Sequence, residues 1–225
     1  MSAVDQLAMD AAAPVRAGMM VGLGTGRAAS RGVRALAERV KRESLALTCV
    51  STSDATTELA RSLGLTVVEF AGVEQVDYLF DGADEVDGAL RMIKGRGGAM
   101  TREKMIARAA ARRVYLIDES KVVRRLGEKA PLPIEVMPFG LASVRAALER
   151  AGLRGALRRR EDGAEYRTDN GGAVIDAALP AGMDLEAVDA LLGGVPGVIG
   201  HGLFLREADV VLIEDGAGQV RRLER

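Results

Sequence analysis

A short apolar run, three glycines and a helical pattern follow one another in GMMVGLGTGRAASRGVRALAERVKRE, residues 18–43. The apolar run GMMVGL predicts a buried strand. The apolar residues of RAASRGVRALAERVKRE recur at helical spacing and predict a helix that packs on a sheet. A strand that turns through glycines into a helix is the repeating unit of doubly wound α/β domains. This stretch therefore predicts an α/β fold.

The alternation of strand and helix continues downstream. Further strands are predicted in LALTCVST (45–52), TVVEF (66–70), VDYLFDGA (76–83) and VYLIDES (114–120), and helices in DATTELARSLG (54–64) and MTREKMIARAAARR (100–113). Asp54 is the expected N-cap of the first of these helices and Gly64 its C-cap. Short apolar strands between helices indicate a mostly parallel sheet that is covered on both faces.

The composition changes after residue 129. Pro131, Pro133 and Pro138 are three of the six prolines, and their proximity suggests a hinge or domain crossing. The patterns that follow have the order β-α-β-β-α-β, which is that of a ferredoxin-like unit. They are IEVMP (134–138), LASVRAALERAG (141–152), GALRRR (155–160), GAVIDAAL (172–179), DLEAVDALLGG (184–194) and GVIGHGLF (197–204). The apolar run ADVVLIEDG (208–216) predicts a strand that returns to the first domain.

The expected architecture is therefore an α/β protein of two domains. Residues 1–129 and 204–225 would form a doubly wound, mostly parallel sheet domain. Residues 130–203 would form a second, smaller ferredoxin-like α+β domain, inserted before the C-terminal strands.

Composition and charge exclude several classes of protein. The 225 residues carry 31 basic and 32 acidic side chains, a formal net charge of −1, so we expect no nucleic acid and no anionic membrane as partner. We see no signal-peptide pattern and no apolar run of membrane-span length, and we expect a cytoplasmic protein. The one cysteine, Cys49, permits no intrachain disulfide.

The single histidine, His201, narrows the possible chemistry. It excludes multi-histidine metal sites and HExxH helices. A Ser-His-Asp triad would have to use His201, and the sequence has no GxSxG motif. Carboxylates, lysines and tyrosines remain as candidates for proton transfer.

Four polar or glycine-rich segments each follow a predicted strand. They are GLGTG (22–26), STSDATT (51–57), DGADEVDG (81–88) and DESK (118–121). In doubly wound sheets, ligands bind outside the carboxyl ends of the strands. Because these four segments are expected to meet at that edge, a functional site there is favoured over unrelated surface loops.

The glycines of GLGTG favour a monophosphate site. Gly22, Gly24 and Gly26 lie between a strand and a helix, where bare backbone amides bind phosphate well. The spacing is not that of the GxGxxG dinucleotide motif, and no Walker GK[ST] follows. A simple tight turn also fits this motif.

The acids of DGADEVDG crowd together, with Asp81, Asp84, Glu85 and Asp87 in seven residues. Their spacing does not match an EF-hand loop, so a metal site is disfavoured. Two interpretations remain: a solvated loop, or carboxylates that bind sugar hydroxyls or move protons.

Two more charged residues follow the acids. Glu103 falls in the first turn of a predicted helix, where the helix dipole favours a carboxylate, although plain N-terminal capping would also place it there. Lys94 lies between the acids and a glycine run whose flexible backbone can fold it over a ligand.

These segments together resemble ribose-5-phosphate isomerases of the A type. The similar segments are VGLGTG, STSDATTELA, DYLFDGADEVDGALRMIKGRGGAMTREKMIA, IDESKVVRRLGEKAPLPIEVMPF, TDNGGAVIDA and VPGVIGHGLF, in the family's order and across nearly the whole chain. The resemblance implies an isomerase, an intramolecular oxidoreductase of the pentose phosphate pathway, that interconverts ribose 5-phosphate and ribulose 5-phosphate. It also implies a small-molecule sugar phosphate as partner, no cofactor, and a homodimer or homotetramer.

The resemblance also implies the roles of individual residues. Glu103 would be the catalytic base, with Asp81, Asp84 and Lys94 around the reacting end of the sugar. The phosphate would bind the loop formed by Gly24, Thr25, Gly26, Arg27 and Ala28. The other implied substrate contacts are Gly82, Ala83, Gly95, Gly97, Gly98 and Lys121.

Two departures from the family pattern concern the phosphate. Arg27 and Ala28 stand where the family usually has Ser-Thr, and residues 1–15 contain no lysine. An isomerase for a different sugar phosphate is therefore an alternative, and a non-catalytic module that senses sugar phosphates is another. For catalysis, the single histidine and the poor metal-ligand spacing favour an enediol route over a metal-assisted hydride shift.

Overall fold

The structure of this chain is a computed structural model that describes residues 5–225. Its helices are α1 (Gln6–Ala12), α2 (Arg27–Glu43), α3 (Asp54–Ser62), α4 (Met100–Ala109), α5 (Leu141–Arg150) and α6 (Leu185–Gly194). Its strands are β1 (Met20–Leu23), β2 (Thr48–Ser51), β3 (Val76–Gly82), β4 (Glu85–Val86), β5 (Met92–Ile93), β6 (Ala110–Asp118), β7 (Leu132–Val136), β8 (Gly155–Leu157), β9 (Ala173–Ala177), β10 (Val198–His201), β11 (Leu203–Phe204), β12 (Val210–Glu214) and β13 (Val220–Glu224). Within residues 5–225, no helix combines the length and apolar character needed to cross a bilayer.

The chain forms two compact units. One contains the described residues up to Ala83, together with Arg102–Lys121 and Glu207–Arg225. The other contains Asp84–Thr101 and Val122–Arg206. The predicted domain division had placed residues 84–101, 122–129 and 204–206 in the first domain. In the structure they belong to the second unit, because β4 and β5 pair with β11 there.

The first unit is built on a six-stranded sheet in the order β13-β12-β6-β3-β1-β2. Its strands are parallel except for β13, which pairs antiparallel with β12 at the edge. Strand β1 lies between β2 and β3, so the chain winds in opposite directions from it. Such a switch point opens a crevice at the carboxyl ends of the two diverging strands. The predicted doubly wound, mostly parallel sheet is confirmed.

Helix α2 packs on this sheet through one apolar face. Val33 and Leu36 on that face are fully buried with Phe80 of β3. Gly32 allows the close approach, since a Cβ at that position would lie 2.7 Å from the Phe80 ring. This packing fixes the start of α2 directly after the end of β1.

The second unit contains a four-stranded antiparallel sheet in the order β10-β7-β9-β8. With α5 and α6, its chain order is β-α-β-β-α-β, and the predicted ferredoxin-like unit is confirmed. Its core includes Ile134, Val144, Leu148, Ile175 and Leu192. A three-stranded sheet, β11-β5-β4, was not predicted from the sequence.

Several predicted elements differ in detail. TVVEF is not a strand; Cys49 makes only an isolated bridge to Val67, with hydrogen bonds to the two residues flanking it. The helix predicted over 100–113 ends at Ala109, because parallel pairing with β3 recruits Ala110 and the following residues into β6. The N-cap of α3 is Ser53, not Asp54, since the Ser53 hydroxyl accepts the Thr56 amide.

Candidate active site

Asp81 is the penultimate residue of β3 and is fully buried at the carboxyl edge of the parallel sheet. Its Oδ1 accepts hydrogen bonds from the Thr25 amide at 3.0 Å and the Gly82 amide at 2.7 Å. At Gly24, a Cβ would lie 2.2 Å from Cγ of Asp81. The glycine therefore lets the loop after β1 close over this carboxylate, which explains one glycine of GLGTG.

Four hydroxyl side chains hold that loop in place. The Thr25 hydroxyl lies 2.7 Å from that of Thr52 and 3.3 Å from that of Thr56, and it donates to Ser53 at 2.8 Å. The Thr56 hydroxyl in turn donates to the Gly24 carbonyl at 3.0 Å. STSDATT is recognisable from the sequence as a polar segment at this edge, but its role in holding the loop depends on these tertiary contacts.

The predicted phosphate residues form the turn into α2. Gly26 is the N-cap with a φ of 97°, and no side chain caps the helix there. Arg27 is exposed and Ala28 is half-buried at the first two helical positions. Bare amides and the dipole of a 17-residue helix favour an anion at this end. Gly82 lies beside the turn, since a Cβ there would be 3.6 Å from Cβ of Ala28.

Glu103 is buried in the first turn of α4. Helix α4 ends where β6 begins, so its N-terminal turn lies toward the carboxyl edge of the sheet. Gly22 of β1 allows the helix to pack closely, since a Cβ at Gly22 would lie 2.9 Å from Cγ2 of Ile106. The position of Glu103 near the helix N-terminus is as the sequence predicted.

Tyr115 is a buried tyrosine whose pKa is affected by the charges of both Asp81 and Glu103. It lies beside Asp81 in the register of β3 and β6. Burial raises the pKa of the Tyr115 phenol well above 10.0, and the negative charges of Asp81 and Glu103 raise it further. The phenol is therefore neutral across the physiological range. Sequence reasoning missed Tyr115 because it lies inside an apolar run.

Lys121 also lies at the carboxyl edge, in a short 3-10 turn after β6. Partial burial raises the pKa of Asp118, but hydrogen bonds from Ser120 and the charge of Lys121 outweigh it and leave that pKa below 3.8. Lys121 is half-buried and lies close enough to Asp118 for its charge to lower the pKa of that carboxyl.

Asp84 and Lys94 belong to the second unit. The Lys94 side chain is buried, with Nζ 5.8 Å from the centre of the Phe204 ring. The backbone amide of Lys94 donates to the Gly202 carbonyl at 2.9 Å. Asp84 is half-buried, and its Oδ2 accepts the Arg96 amide at 2.9 Å. This contact fixes the start of the glycine run that includes Gly95, Gly97 and Gly98.

The other two acids of DGADEVDG have structural roles. Glu85 is fully buried and accepts the backbone amides of Gly127, Lys129 and Ala130. Asp87 is buried and binds the amide and the guanidinium of Arg91. Because Asp81, Glu85 and Asp87 are buried, the solvated-loop interpretation is wrong. In residues 5–225, no three or more His, Cys, Asp or Glu side chains are grouped as a metal site would require.

The fold and the edge residues define an α/β protein with buried carboxylates at the carboxyl end of a parallel sheet. Residues 48–218 match the family model of ribose 5-phosphate isomerase A, also called phosphoriboisomerase A. Ribose-5-phosphate isomerase A of Thermomicrobium roseum is 45% identical over 99% of this chain and 94% of the relative. That of Sphingopyxis alaskensis is 44% identical over 90% of this chain and 87% of the relative. The chain belongs to the ribose 5-phosphate isomerase A family.

Solved structures agree with this assignment. Ribose 5-phosphate isomerase A from Methanocaldococcus jannaschii superposes with a TM-score of 0.92 at 35% identity, covering 98% of this chain and 97% of that one. A D-ribose-5-phosphate isomerase in complex with phospho-erythronic acid gives a TM-score of 0.91 at 35% identity, covering 99% of each chain. The predicted family and fold class are confirmed.

Proposed function

We propose that this chain interconverts ribose 5-phosphate and ribulose 5-phosphate through an enediol, with Glu103 as the base. The observation that carries the proposal is the buried carboxylate of Glu103, which shares its surroundings with Asp81 and Tyr115. Membership of the ribose 5-phosphate isomerase A family supports the proposed isomerisation. The neighbour solved with phospho-erythronic acid, a phosphorylated sugar acid, supports the substrate class.

The reaction moves one proton between adjacent carbons. Glu103 takes the proton from C2 of the open-chain aldose, and the C–H electrons form the C1–C2 double bond while O1 gains a proton. Glu103 then returns a proton to C1 as O2 loses its own, and the carbonyl is left at C2. A positioned general base of this kind contributes roughly 10²- to 10⁴-fold in rate.

The charge that develops on oxygen needs preorganised donors. Lys94 supplies a buried cation, and the amides of Gly95 and Gly97 supply neutral donors. We assign Asp81 and Asp84 to the sugar hydroxyls and to the protons on oxygen.

The phosphate group is assigned to the turn into α2. Gly26, Arg27 and Ala28 present the first backbone amides of the helix, and Arg27 adds a guanidinium beside them. Gly24 and Thr25 shape the turn that leads to these amides. Lys121 is a second cation at the same edge of the sheet. The enzyme is further proposed to be cytoplasmic and to act as a homodimer or homotetramer, as the resemblance implies.

A panel of sugar phosphates in a coupled isomerisation assay tests this proposal. We expect ribose 5-phosphate to give the highest kcat/KM of the panel. In D₂O, an enediol route exchanges the transferred proton with solvent, so ribulose 5-phosphate should carry deuterium at C1. Turnover without any deuterium in the product would contradict the enediol, and no turnover of any sugar phosphate would indicate a sensing module.

The second candidate function is the isomerisation of a different sugar phosphate. Arg27 and Ala28 favour this candidate. Their positions at the phosphate turn lack the hydroxyls that the family usually has there. A higher kcat/KM for another aldose phosphate would support that alternative.

A further inference from the structure

The segment after Lys94 is held by one turn hydrogen bond of its own, from the Gly98 amide to the Gly95 carbonyl at 2.9 Å, and by contacts from other segments. Residues 95–98, here called the glycine loop, contain three glycines, and Gly95 and Gly98 have φ values of 104° and 79°. Glycines have no side chains with which to anchor a loop, and they are the residues with the most backbone freedom to lose. Contacts from elsewhere in the second unit are therefore needed beside the turn hydrogen bond to fix the loop.

Two side chains make such contacts with three consecutive carbonyls. Arg158 Nη1 donates to the Gly95 carbonyl at 2.9 Å and to the Arg96 carbonyl at 3.0 Å. The Tyr166 hydroxyl donates to the Gly97 carbonyl at 2.9 Å. A Cβ at Gly98 would lie 2.2 Å from the Tyr166 hydroxyl oxygen, so the loop and the tyrosine are in direct contact.

Arg158 and Tyr166 are themselves held in place. Asp176 binds the Arg158 guanidinium through two hydrogen bonds, Nε to Oδ2 at 2.8 Å and Nη2 to Oδ1 at 2.5 Å. The guanidinium carbon lies 5.5 Å from the centre of the Tyr166 ring, and the Tyr166 amide donates to the Arg158 carbonyl at 3.1 Å. The two residues therefore form one preorganised group.

Holding a carbonyl also sets the direction of the amide in the same peptide unit. The described peptide bonds are all trans, so each C=O and the following N–H point in opposite directions. The peptide between Gly95 and Arg96 donates its N–H to Asp84 while its carbonyl is held by Arg158. Arg158 is thus connected to Asp84 through a single peptide unit. The same reasoning gives the Gly97 amide a fixed direction.

We propose that Arg158 and Tyr166 are positioning residues, which hold the glycine loop so that Asp84, Lys94 and the loop amides keep their catalytic orientation. Asp84, Arg96, Arg158 and Asp176 line one cavity of about 330 Å³. The inference rests on the proposed function, because it gives Arg158 and Tyr166 a role in the proposed isomerisation. Neither residue is expected to touch the substrate.

Two substitutions test the proposal. Tyr166→Phe removes one hydroxyl and should lower kcat roughly 5- to 10-fold, as expected for one lost hydrogen bond. Arg158→Met removes two carbonyl contacts and should lower kcat on the order of 100-fold, as misplaced catalytic groups do. KM should change less than about twofold in both, because uniform binding is unaffected. Arg158→Lys should restore part of the loss.

Hydrogen exchange of residues 95–98 supplies a readout that does not depend on activity. Both variants should exchange faster there than the wild-type protein, with unchanged melting temperature. Arg160→Met is the matched control, since that side chain is exposed in the same hairpin and pairs only loosely with Asp162 at 3.7 Å.

Unchanged kcat or unchanged loop exchange in both variants would overturn the proposal, as would an equal loss in Arg160→Met. If the wild-type protein itself failed to isomerise ribose 5-phosphate, the proposed function would fail, and the exchange data would still decide whether the two residues hold the loop.

Discussion

Gly24 and Asp81 fit against each other so closely that Gly24 leaves no room for a side chain. A Cβ on Gly24 would lie 2.2 Å from both Cγ and Oδ1 of Asp81, and 2.5 Å from its Cα. Asp81 also holds the next residue of the loop, by accepting the Thr25 amide. The proposed phosphate turn and a proposed catalytic carboxylate therefore depend on the same contact.

Gly24→Ala should impair both stability and catalysis. The added methyl group must displace Asp81, and overpacking of this kind costs about 1–3 kcal/mol in the free energy of unfolding. Displacing a carboxylate at the site should lower kcat by roughly 100-fold. The matched control is Gly72→Ala, where a Cβ meets no atom within 4 Å. Near-normal kcat in Gly24→Ala would show that Asp81 has no part in the reaction.

Arg27→Ala should raise KM for ribose 5-phosphate roughly tenfold, with a smaller change in kcat, as the loss of a charged hydrogen bond to phosphate predicts. Arg27 is exposed at the first position of α2, beside the first amides of that helix. Arg34→Ala removes an equal charge from an exposed position further along the helix and should leave KM unchanged. An unaltered KM in Arg27→Ala at low salt would mean that the phosphate binds elsewhere.

Asp209 should contribute stability that is lost in acid. Burial raises its pKa, but hydrogen bonds from the Arg113 side chain and amide outweigh burial and leave the pKa below 3.8. Because the folded-state pKa is depressed, the contribution is complete above about pH 4 and disappears as the pH falls through the folded-state value.

Asp209→Asn should therefore lower the free energy of unfolding at pH 7 by about 1 kcal/mol, after allowing for solvent screening of a part-exposed pair. Urea unfolding at pH 7 and pH 2.5 measures this difference, which should shrink toward zero at the lower pH. Asp162→Asn, at an exposed turn, is the control. A difference that persists unchanged in acid would refute the ion-pair explanation.

Activity should be insensitive to chelators. Of the four clustered acids, Glu85 is occupied by backbone amides and Asp87 by the amide and guanidinium of Arg91, which leaves few oxygens for a divalent ion. Dialysis against EDTA should leave kcat within about 20% of its starting value. A reaction whose chemistry depends on a metal would lose far more activity than that. Loss of activity that a divalent ion restores would replace the enediol with a metal-assisted route.

The parts of the site that sequence alone predicted are those set by local pattern. Glycines between a strand and an amphipathic helix placed the turn at Gly24 and Gly26, and the position of Glu103 in a first helical turn followed from the helix beginning at Met100. Both depend only on residues within a few positions along the chain.

The remaining features depend on contacts between distant segments. Glu85 and Asp81 look alike in sequence, but both oxygens of Glu85 accept amides of a loop at residues 127–130. The amides that bind Asp81 both go to one oxygen, Oδ1. The contacts of Arg158 and Tyr166 with the glycine loop span more than 60 residues. Hydrophobic periodicity and spacing carry no information on such pairings, which depend on tertiary structure.

Replacing Glu103 with Gln tests the central claim most directly, since it keeps the size of the side chain and removes its ability to accept a proton. Steady-state isomerisation of ribose 5-phosphate should show kcat reduced by at least about 100-fold, with KM within about twofold because binding is retained. Glu38→Gln, at an exposed position on α2, should retain full activity. A Glu103→Gln enzyme that keeps more than about a tenth of the wild-type kcat would contradict the assignment of Glu103 as the base.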